Sequence, residues 1–261
     1  MSTPKALVLR AAGTNCDREA KFALEQAGFA AERVHVFRIM EDPARLDEYQ
    51  FLVIPGGFSY GDDVAAGKIL ANQMIHRLAE PLNRFVAAGK LVLGICNGFQ
   101  VLIKSGLLPW GRVAPDAMQR DATLAWNDNG RFVDRWIHLR ADSDKCVFLP
   151  KGEIVALPIA HGEGKFVPAD DAVLAKLREN DQLALRYCDE AGRPGAYPIN
   201  PNGSVDDVAG LCDGSGRVLG LMPHPERFVD ITHHPQWTRG NVQRADGQLF
   251  FKRAYEFLTK E

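Results

Sequence analysis

The sequence predicts an α/β fold: a mostly parallel sheet with helices on both faces and a few added antiparallel strands. Two observations favour the parallel part. Short apolar segments alternate with longer helical ones, and the apolar segments are continuously hydrophobic, as is typical of strands covered on both faces. A third observation favours the antiparallel additions, because tight turns such as residues 213–216 separate the later strand-like segments.

The first three elements follow closely at the start of the chain. Residues 6–10 form an apolar run that predicts a buried strand. Residues 17–27 predict a helix that ends at Gly28, since glycine readily adopts the backbone conformation found just past helix ends. Residues 34–37, Val-His-Val-Phe, are rich in strand-forming side chains and predict the second strand.

A long helix between two apolar strands is predicted next. Residues 51–54, Phe-Leu-Val-Ile, form a short strand, and residues 64–88 are mainly helical. Residues 91–95 form the following strand. Neither strand contains a polar residue, so both are expected to be covered on both faces.

The second half of the chain contributes strands and a closing helix. Residues 183–188 and 218–222 predict strands that join the sheet in antiparallel orientation. Residues 246–258 predict the last helix. Because no internal repeat or low-complexity linker interrupts the chain, residues 1–261 are expected to form a single domain.

The composition is that of a globular enzyme rather than a nucleic-acid-binding or membrane protein. A formal net charge of −2 and a pI near 6.4 lack the basic surplus typical of nucleic-acid binding. No apolar run reaches the length of a membrane span, and residues 1–5 leave no room for a signal peptide before the first strand. Five cysteines without framework spacing favour a reducing compartment, so a cytoplasmic location is expected.

Cys96 is the strongest candidate for a catalytic residue. It follows the strand at 91–95, and Gly94 and Gly98 stand two residues before and two residues after it. Small residues at those positions let a strand turn sharply into a helix without a collision. At the helix N-terminus a thiolate is favoured over a thiol, so Cys96 is predicted to be a nucleophile.

The other four cysteines lack this setting. None has a glycine on both sides at that spacing, a second cysteine in a C-x-x-C pair, or a regular metal-ligand interval. We expect these residues to be inert thiols that only pack: Cys16, Cys146, Cys188 and Cys212.

A cysteine nucleophile needs a base and a group that orients the base. His224 and Glu226 follow a strand-like run and lie two residues apart, so in extended chain they point the same way about 7 Å apart. Pro223 and Pro225 stiffen the segment. His161, in a glycine-containing loop, is the competing base.

A metal site is the less favoured interpretation of the histidines after this segment. His233 and His234, with Asp230, supply ligand types, but adjacent histidines of a strand face opposite sides. No fourth ligand follows at regular spacing. We therefore predict no metal site on this chain.

These residues resemble the class I, or triad-type, glutamine amidotransferases, whose signature is G-x-C-x-G-x-Q followed far downstream by H-x-E. Further segments are similar to the glutaminase subunits of phosphoribosylformylglycinamidine synthases. The similarity is carried by five motifs in the family's order: residues 55–62, 94–100, 158–164, 197–204 and 220–227. Residues 232–239 are more similar to long, fused forms, and the chain is longer than compact separate subunits.

The resemblance implies a flavodoxin-like fold and a triad of Cys96, His224 and Glu226 that hydrolyses L-glutamine to glutamate and ammonia. Gly57 and Asn97 would offer backbone N–H groups to the tetrahedral oxyanion. The implied substrate-binding residues are Gly57, Phe58, Asn97, Gln100, Gly203 and Ser204.

The resemblance also implies partners. A synthetase subunit would use the ammonia, with ATP and magnesium bound to it, to make formylglycinamidine ribonucleotide in purine synthesis. Whether a third small subunit takes part is left open. Residues 61–69 look superficially like a phosphate loop but have the wrong glycine spacing, so no cofactor is expected on this chain.

Three alternatives stay open on the sequence. One is a cysteine hydrolase of peptidase or deglycase type on a related fold. Another is a class I amidotransferase subunit that serves a different acceptor. A catalytically silent binding subunit is the third, although all three triad residue types are present.

Overall fold

The computed structural model describes residues 3–114 and 120–260. The strands are β1 Lys5–Arg10, β2 Ala30–His35, β3 Phe51–Ile54, β4 Leu91–Ile95, β5 Ala122–Trp126, β6 Val133–Ala141, β7 Ile154–His161, β8 Glu163–Pro168, β9 Leu185–Cys188, β10 Val208–Cys212 and β11 Val218–Leu221. The helices are α1 Asp17–Ala27, α2 Val36–Glu41, α3 Lys68–Ala87, α4 Asn97–Ser105, α5 Leu107–Trp110, α6 Asp171–Glu179 and α7 Gln248–Thr259. Short 3₁₀ helices are Pro43–Glu48, Ser59–Asp62, Val205–Asp207, Pro225–Arg227, Ile231–His233 and Trp237–Arg239.

Within the described residues, nine strands form one sheet in the order β2-β1-β3-β4-β11-β10-β9-β6-β7. The pairs from β2 to β11 are parallel, and those from β11 to β7 are antiparallel. Strands β5 and β8 form a separate antiparallel pair. The predicted mostly parallel α/β sheet with an antiparallel extension is therefore confirmed.

The core lies on both faces of the central strands. Every residue of β3 and β4 is buried, as their continuously apolar sequences predict. Helix α1 packs against α7, and α3 packs against α4. Within residues 3–114 and 120–260, no helix is both long enough and apolar enough to cross a bilayer.

Two predicted elements differ from the structure. The strand predicted at 34–37 instead begins at Ala30 and ends at His35, because the His35 side chain accepts a hydrogen bond from the Phe37 N–H and starts α2. Strand β11 was expected among the antiparallel additions, but it pairs in parallel with β4 and antiparallel with β10. It is therefore the junction between the two parts of the sheet.

The register of the sheet brings the functional loops together. Ile54 of β3 pairs with Gly94 of β4, and Ile95 of β4 pairs with Leu221 of β11. The three strands therefore end at the same edge. Parallel α/β sheets place their sites at the carboxyl ends of such strands.

Candidate active site

The turn at Cys96 has a strained backbone. Cys96 lies between β4 and α4 with φ 51° and ψ −105°, a conformation that residues with side chains rarely adopt. Its N–H donates to the carbonyl oxygen of Leu221 at 2.7 Å, which ties the turn to β11. Such strain costs on the order of 1–3 kcal/mol and clusters at functional sites.

The two glycines around Cys96 are required by close backbone contacts. A Cβ atom on Gly98 would lie 1.8 Å from the carbonyl oxygen of Ile54. A Cβ atom on Gly94 would lie 2.8 Å from the carbonyl oxygen of Gly98. Any side chain at either position would push α4 away from the sheet and displace the thiol.

His224 and Glu226 form a buried pair directly after β11. His224 Nδ1 lies 2.7 Å from Glu226 Oε1, and both side chains are at most 2% exposed. The His224 N–H donates to the carbonyl oxygen of Pro158 at 2.9 Å, which fixes the segment against β7. With Glu226 on Nδ1, the Nε2 atom of His224 is left for proton transfer.

The charge of Glu226 sets the protonation of His224. Burial lowers the pKa of His224, but the negative charge of Glu226 and the nearby thiols of Cys96 and Cys16 more than offset this effect and raise the pKa well above its ordinary value. The effect of Cys96 requires that its sulfur lie near the imidazole. A raised pKa makes His224 a strong proton acceptor.

The thiol of Cys96 points to the end of strand β7 in this structure. Cys96 Sγ donates to the carbonyl oxygen of Ala160 at 3.7 Å. The Nε2 atom of His224 is buried and has no hydrogen-bond partner in the part of the chain that the structure describes. The second ring nitrogen of this candidate base is therefore free.

Gly57 and Asn97 offer backbone N–H groups beside the nucleophile. Gly57 has a φ of 131°, and a Cβ atom there would lie 2.6 Å from the Asn15 nitrogen, so only glycine fits. Asn97 begins α4, where the first N–H groups have no partner within the helix. Among the described residues, neither N–H donates a hydrogen bond to the backbone.

A cavity of about 360 Å³ opens beside Cys96. Exposed aromatic side chains, Phe58, Trp126 and Phe132, stand at its mouth. Its remaining lining residues are Gly57, Asp62, Ala66, Cys96, Gln100, Ala160, His161, Gly162 and Glu163. A cavity of this size, with polar groups beside a thiol, accommodates a small polar substrate.

Gln100 is held on the wall of this cavity by two hydrogen bonds. Its Oε1 accepts from Asn97 Nδ2 at 2.9 Å, and its Nε2 donates to the carbonyl oxygen of Glu163 at 2.6 Å. Asn97 Oδ1 also accepts from the Ser59 N–H at 3.2 Å. The Asn97 side chain thus fixes both Gln100 and the loop that follows Phe58.

His161, the competing candidate base, lines the same cavity but differs from His224 in its protonation. Its Nδ1 lies 3.1 Å from Asn127 Oδ1, and the Asn127 amide nitrogen donates elsewhere, so Nδ1 carries the proton. Burial and, to a smaller extent, the charge of His224 together lower the pKa of His161 to about 3. His161 is therefore neutral at physiological pH and a poor proton acceptor.

A family comparison agrees with this geometry. Residues 3–258 match the family model of the CobB/CobQ-like glutamine amidotransferase domain. The chain belongs to the glutamine amidotransferase family.

The amidotransferase is similar to curated subunits over their full length. It is 44% identical to phosphoribosylformylglycinamidine synthase subunit PurQ of Dehalococcoides mccartyi, with 100% of both chains covered. It is 43% identical to subunit PurQ of Archaeoglobus fulgidus, with 98% of this chain and 97% of the relative covered. The expectation that the chain is longer than separate subunits is therefore wrong for these relatives.

A solved structure extends the similarity to three dimensions. The amidotransferase matches a chain of the structure of PurLQS from Thermotoga maritima with a TM-score of 0.75 and 33% identity. The match covers 99% of this chain and 100% of that chain. A glutamine amidotransferase from Thermotoga maritima matches with a TM-score of 0.51 at 17% identity and shows the fold alone.

Gly203 and Ser204 are not brought to the cavity of the amidotransferase beside Cys96. Gly203 lines a separate cavity of about 720 Å³. Ser204 is buried behind the loop at 161–164, where its Oγ accepts from the Phe166 N–H at 3.0 Å and lies 3.5 Å from the carbonyl oxygen of Gly164. Ser204 therefore supports the strand that follows this loop, and Gly203 lies away from the cavity beside Cys96.

Sequence reasoning missed a thiol close to the triad. Cys16, predicted to be inert, has its Sγ 3.1 Å from Arg227 Nη2. A Cβ atom on Gly56 would lie 2.7 Å from His224 Cε1 and 3.4 Å from Cys16 Sγ, so the three residues meet. The sequence did contain a signal for this position. Cys16 follows β1, and the loops after the parallel strands meet at the same edge of the sheet.

The cavity floor also carries charges that the motifs did not indicate. Burial raises the pKa of Asp62, although hydrogen bonds from the Gly67 N–H and Asn97 oppose this. Burial lowers the pKa of Lys104, whose Nζ lies 3.9 Å from Glu163 Oε2. Two carboxylates and one ammonium group therefore lie within or beside the cavity of the amidotransferase.

One group of neighbouring side chains consists of residue types that can bind metal ions. Potential ligand atoms of Cys16, His224 and Glu226 lie within 4.8 Å of one another. However, the Arg227 guanidinium donates to Cys16 Sγ at 3.1 Å, so a positive charge already lies beside this thiol. A metal ion would meet a like charge there, and the group does not favour metal binding.

Of the two histidines after residues 220–227, His234 packs against other side chains and His233 is exposed. The His234 ring lies 4.5 Å from the Trp136 ring, and its burial lowers the pKa of His234. Asp230 Oδ1 accepts hydrogen bonds from Thr232. Among the described residues, these side chains do not form a group with converging ligand atoms.

Proposed function

We propose that the chain is the glutaminase subunit of a phosphoribosylformylglycinamidine synthase and forms a single amidotransferase domain. The observation that carries the proposal is the strained thiol of Cys96, which opens on a cavity beside the buried pair of His224 and Glu226. The full-length similarity to curated PurQ subunits supports the acceptor pathway.

The first half of the reaction releases ammonia. His224 Nε2 takes the proton of Cys96, and the thiolate attacks the carboxamide carbon of glutamine. The resulting oxyanion is stabilised by the N–H groups of Gly57 and Asn97, each of which contributes about 10²- to 10³-fold in rate. His224 then returns the proton to the nitrogen, the carbon–nitrogen bond breaks, and ammonia leaves.

The second half restores the enzyme. A water molecule gives a proton to His224 Nε2 and attacks the glutamyl thioester. The carbon–sulfur bond breaks, glutamate leaves, and Cys96 regains its proton. Glu226 keeps the imidazole in one orientation through both steps and stabilises its charged form.

Substrate selection rests on the cavity wall. Gln100, oriented by Asn97, faces the cavity and offers its amide to the substrate. Phe58 and Gly57 border the entrance. Gly203 and Ser204 do not line this cavity, and Ser204 acts indirectly through its contacts with Phe166 and Gly164.

The ammonia is used on a different chain. This subunit needs no cofactor for the steps above, and ATP and magnesium belong to a synthetase partner that converts formylglycinamide ribonucleotide. A third small subunit completes the assembly, as the name of the PurLQS structure indicates for the relative.

The test is glutamate release from glutamine by the purified chain, alone and with a synthetase subunit, ATP, magnesium and formylglycinamide ribonucleotide. Strong stimulation in the full mixture is expected. Hydrolysis that ignores the partner would indicate another acceptor. No release under any condition would contradict the glutaminase activity and favour a hydrolase of another specificity or a silent subunit.

A further inference from the structure

His161 is a buried histidine that the triad does not use. It is the last residue of β7, is 3% exposed, and lines the cavity beside Cys96. Cys96 Sγ donates to the carbonyl oxygen of Ala160, the residue before His161. The imidazole of His161 therefore lies in the cavity wall, one residue from the backbone group that the nucleophile contacts.

The ring of His161 is fixed by the protein itself. Its Nδ1 lies 3.1 Å from Asn127 Oδ1. A Cβ atom on Gly164 would lie 2.3 Å from His161 Cε1, so the ring fills the space that a side chain at Gly164 would need. The Asn127 N–H also donates to the carbonyl oxygen of Gly162 at 2.8 Å, which attaches the loop after β7 to the same residue. The orientation of the imidazole is therefore set before a substrate binds.

Asn127 also determines which ring nitrogen of His161 carries the proton. Its Nδ2 donates to the carbonyl oxygens of Arg131 at 2.9 Å and of His161 at 2.8 Å. Asn127 Oδ1 can only accept, so His161 Nδ1 donates to it and Nε2 carries the lone pair. Because the pKa of His161 is lowered to about 3, mainly by burial, the ring stays neutral at physiological pH. Nε2 is therefore a hydrogen-bond acceptor.

This acceptor is not satisfied by the protein. Among residues 3–114 and 120–260, no group donates to His161 Nε2, although the atom is buried. Buried polar atoms are nearly always hydrogen-bonded, and leaving one without a partner destabilises the folded chain. Since His161 lines the cavity, a donor group of a bound substrate can supply the hydrogen bond.

The carboxamide of glutamine has such a donor group. In the proposed reaction its oxygen lies at the N–H groups of Gly57 and Asn97, and its nitrogen lies near His224, which returns the proton to it. The charge of His224 contributes to the lowered pKa of His161, so the two imidazoles border the same region. The carboxamide nitrogen, which carries two hydrogens, is therefore expected beside His161.

We propose that His161 is a specificity-determining residue: its Nε2 accepts a hydrogen bond from the carboxamide nitrogen of glutamine and disfavours the carboxylate of glutamate. The inference rests on the proposed function and names the group that distinguishes its substrate from its product. A carboxylate has only acceptor oxygens, so with glutamate two lone pairs would face each other. The same contrast favours the release of glutamate after the thioester is hydrolysed.

The test compares the binding of glutamine and glutamate by isothermal titration calorimetry. The protein is the Cys96→Ala chain assembled with a synthetase subunit, so that glutamine is not consumed. His161→Phe keeps a planar ring against Gly164 but has no acceptor. We expect its Kd for glutamine to rise about tenfold or more, while its Kd for glutamate stays unchanged or falls. A loosened cavity would instead weaken both ligands alike and leave their ratio unchanged.

Three further substitutions complete the experiment. His161→Gln can present its Oε1 where Nε2 lies, so it should keep the preference for glutamine within about threefold of that with His161. His161→Leu also lacks the acceptor and should lose the preference as His161→Phe does, which covers the case that the phenylalanine variant does not fold. His76→Phe, on the exposed side of α3, is the control and should bind both amino acids as the parent does.

The outcomes separate this inference from the proposed function. An unchanged ratio of the two Kd values in the variants without an acceptor, or the same loss in His161→Gln, would overturn the role of His161 alone. If the Cys96→Ala protein with His161 in place bound neither amino acid, the glutaminase function itself would be contradicted. A preference for glutamine that depends on an acceptor at position 161 is the result that we expect.

Discussion

His224 Nδ1 lies 2.7 Å from Glu226 Oε1 in a pair that is almost completely closed to solvent. A single carboxylate therefore orients the His224 ring and favours its charged form. Burial alone would lower the pKa of His224, and the charge of Glu226 with the nearby thiols of Cys96 and Cys16 reverses the direction. The site depends on an electrostatic balance among these side chains.

Glu226→Gln should remove that balance while keeping the shape of the site. An amide cannot stabilise imidazolium and favours the wrong tautomer, so kcat should fall about 10²- to 10⁴-fold. KM should change less than about threefold. Glutamate release kinetics measure the effect, and the exposed Glu190→Gln is the control. A Glu226→Gln protein as active as this control would refute the role of the carboxylate.

Gly98→Ala should disrupt the turn at Cys96. A Cβ atom 1.8 Å from the carbonyl oxygen of Ile54 cannot be accommodated without moving α4. We expect a loss of about 3 kcal/mol or more in the free energy of unfolding, measured in urea. Gly214→Ala is the matched control, because nothing lies within 4 Å of the added Cβ atom. Equal stability of the two variants would show that the close contact is absent.

His161→Asn should change how stability depends on pH. The pKa of His161 is about 3 in the folded protein and about 6.5 in an unfolded chain, so only the unfolded state takes up this proton as the pH falls. Stability is therefore present above pH 6.5 and lost towards pH 3. Relative to His161→Asn, the unmodified protein should lose about 2 kcal/mol between pH 7 and pH 5. Urea titrations at both pH values measure this difference, and parallel curves would indicate that His161 is protonated in the folded state.

The sequence predicts those parts of the fold that local pattern determines. Helix α1 has its predicted bounds because Gly28 ends it, and β3 and β4 have theirs because continuous apolar runs define buried strands. Strand β2 was misplaced because the His35 side chain starts a helix, and apolar content does not encode that cap. The parallel pairing of β11 depends on long-range register, which its own residues do not reveal.

For the site too, the sequence predicts the residues that local patterns mark, and it does not predict those that depend on long-range contacts. Cys96, His224 and Glu226 were predicted as candidates because glycine and proline spacing restricts the backbone around them. Cys16 was missed because its position beside His224 and Glu226 depends on a contact with Arg227, which is 211 residues away in the chain. Motif reasoning also assigned Ser204 a substrate contact, whereas the packing of β8 places it behind the cavity.

The most direct test of the account is Cys96→Ala in the assembled enzyme, with synthesis of formylglycinamidine ribonucleotide measured from glutamine and, separately, from added ammonia. Removing the sulfur eliminates the thioester, so glutamine-dependent synthesis should be abolished. Ammonia-dependent synthesis should be unchanged, because the synthetase chemistry belongs to the partner. Equal loss of both activities, or retention of glutamine-dependent synthesis, would contradict the assignment of Cys96 as the nucleophile of a separate glutaminase.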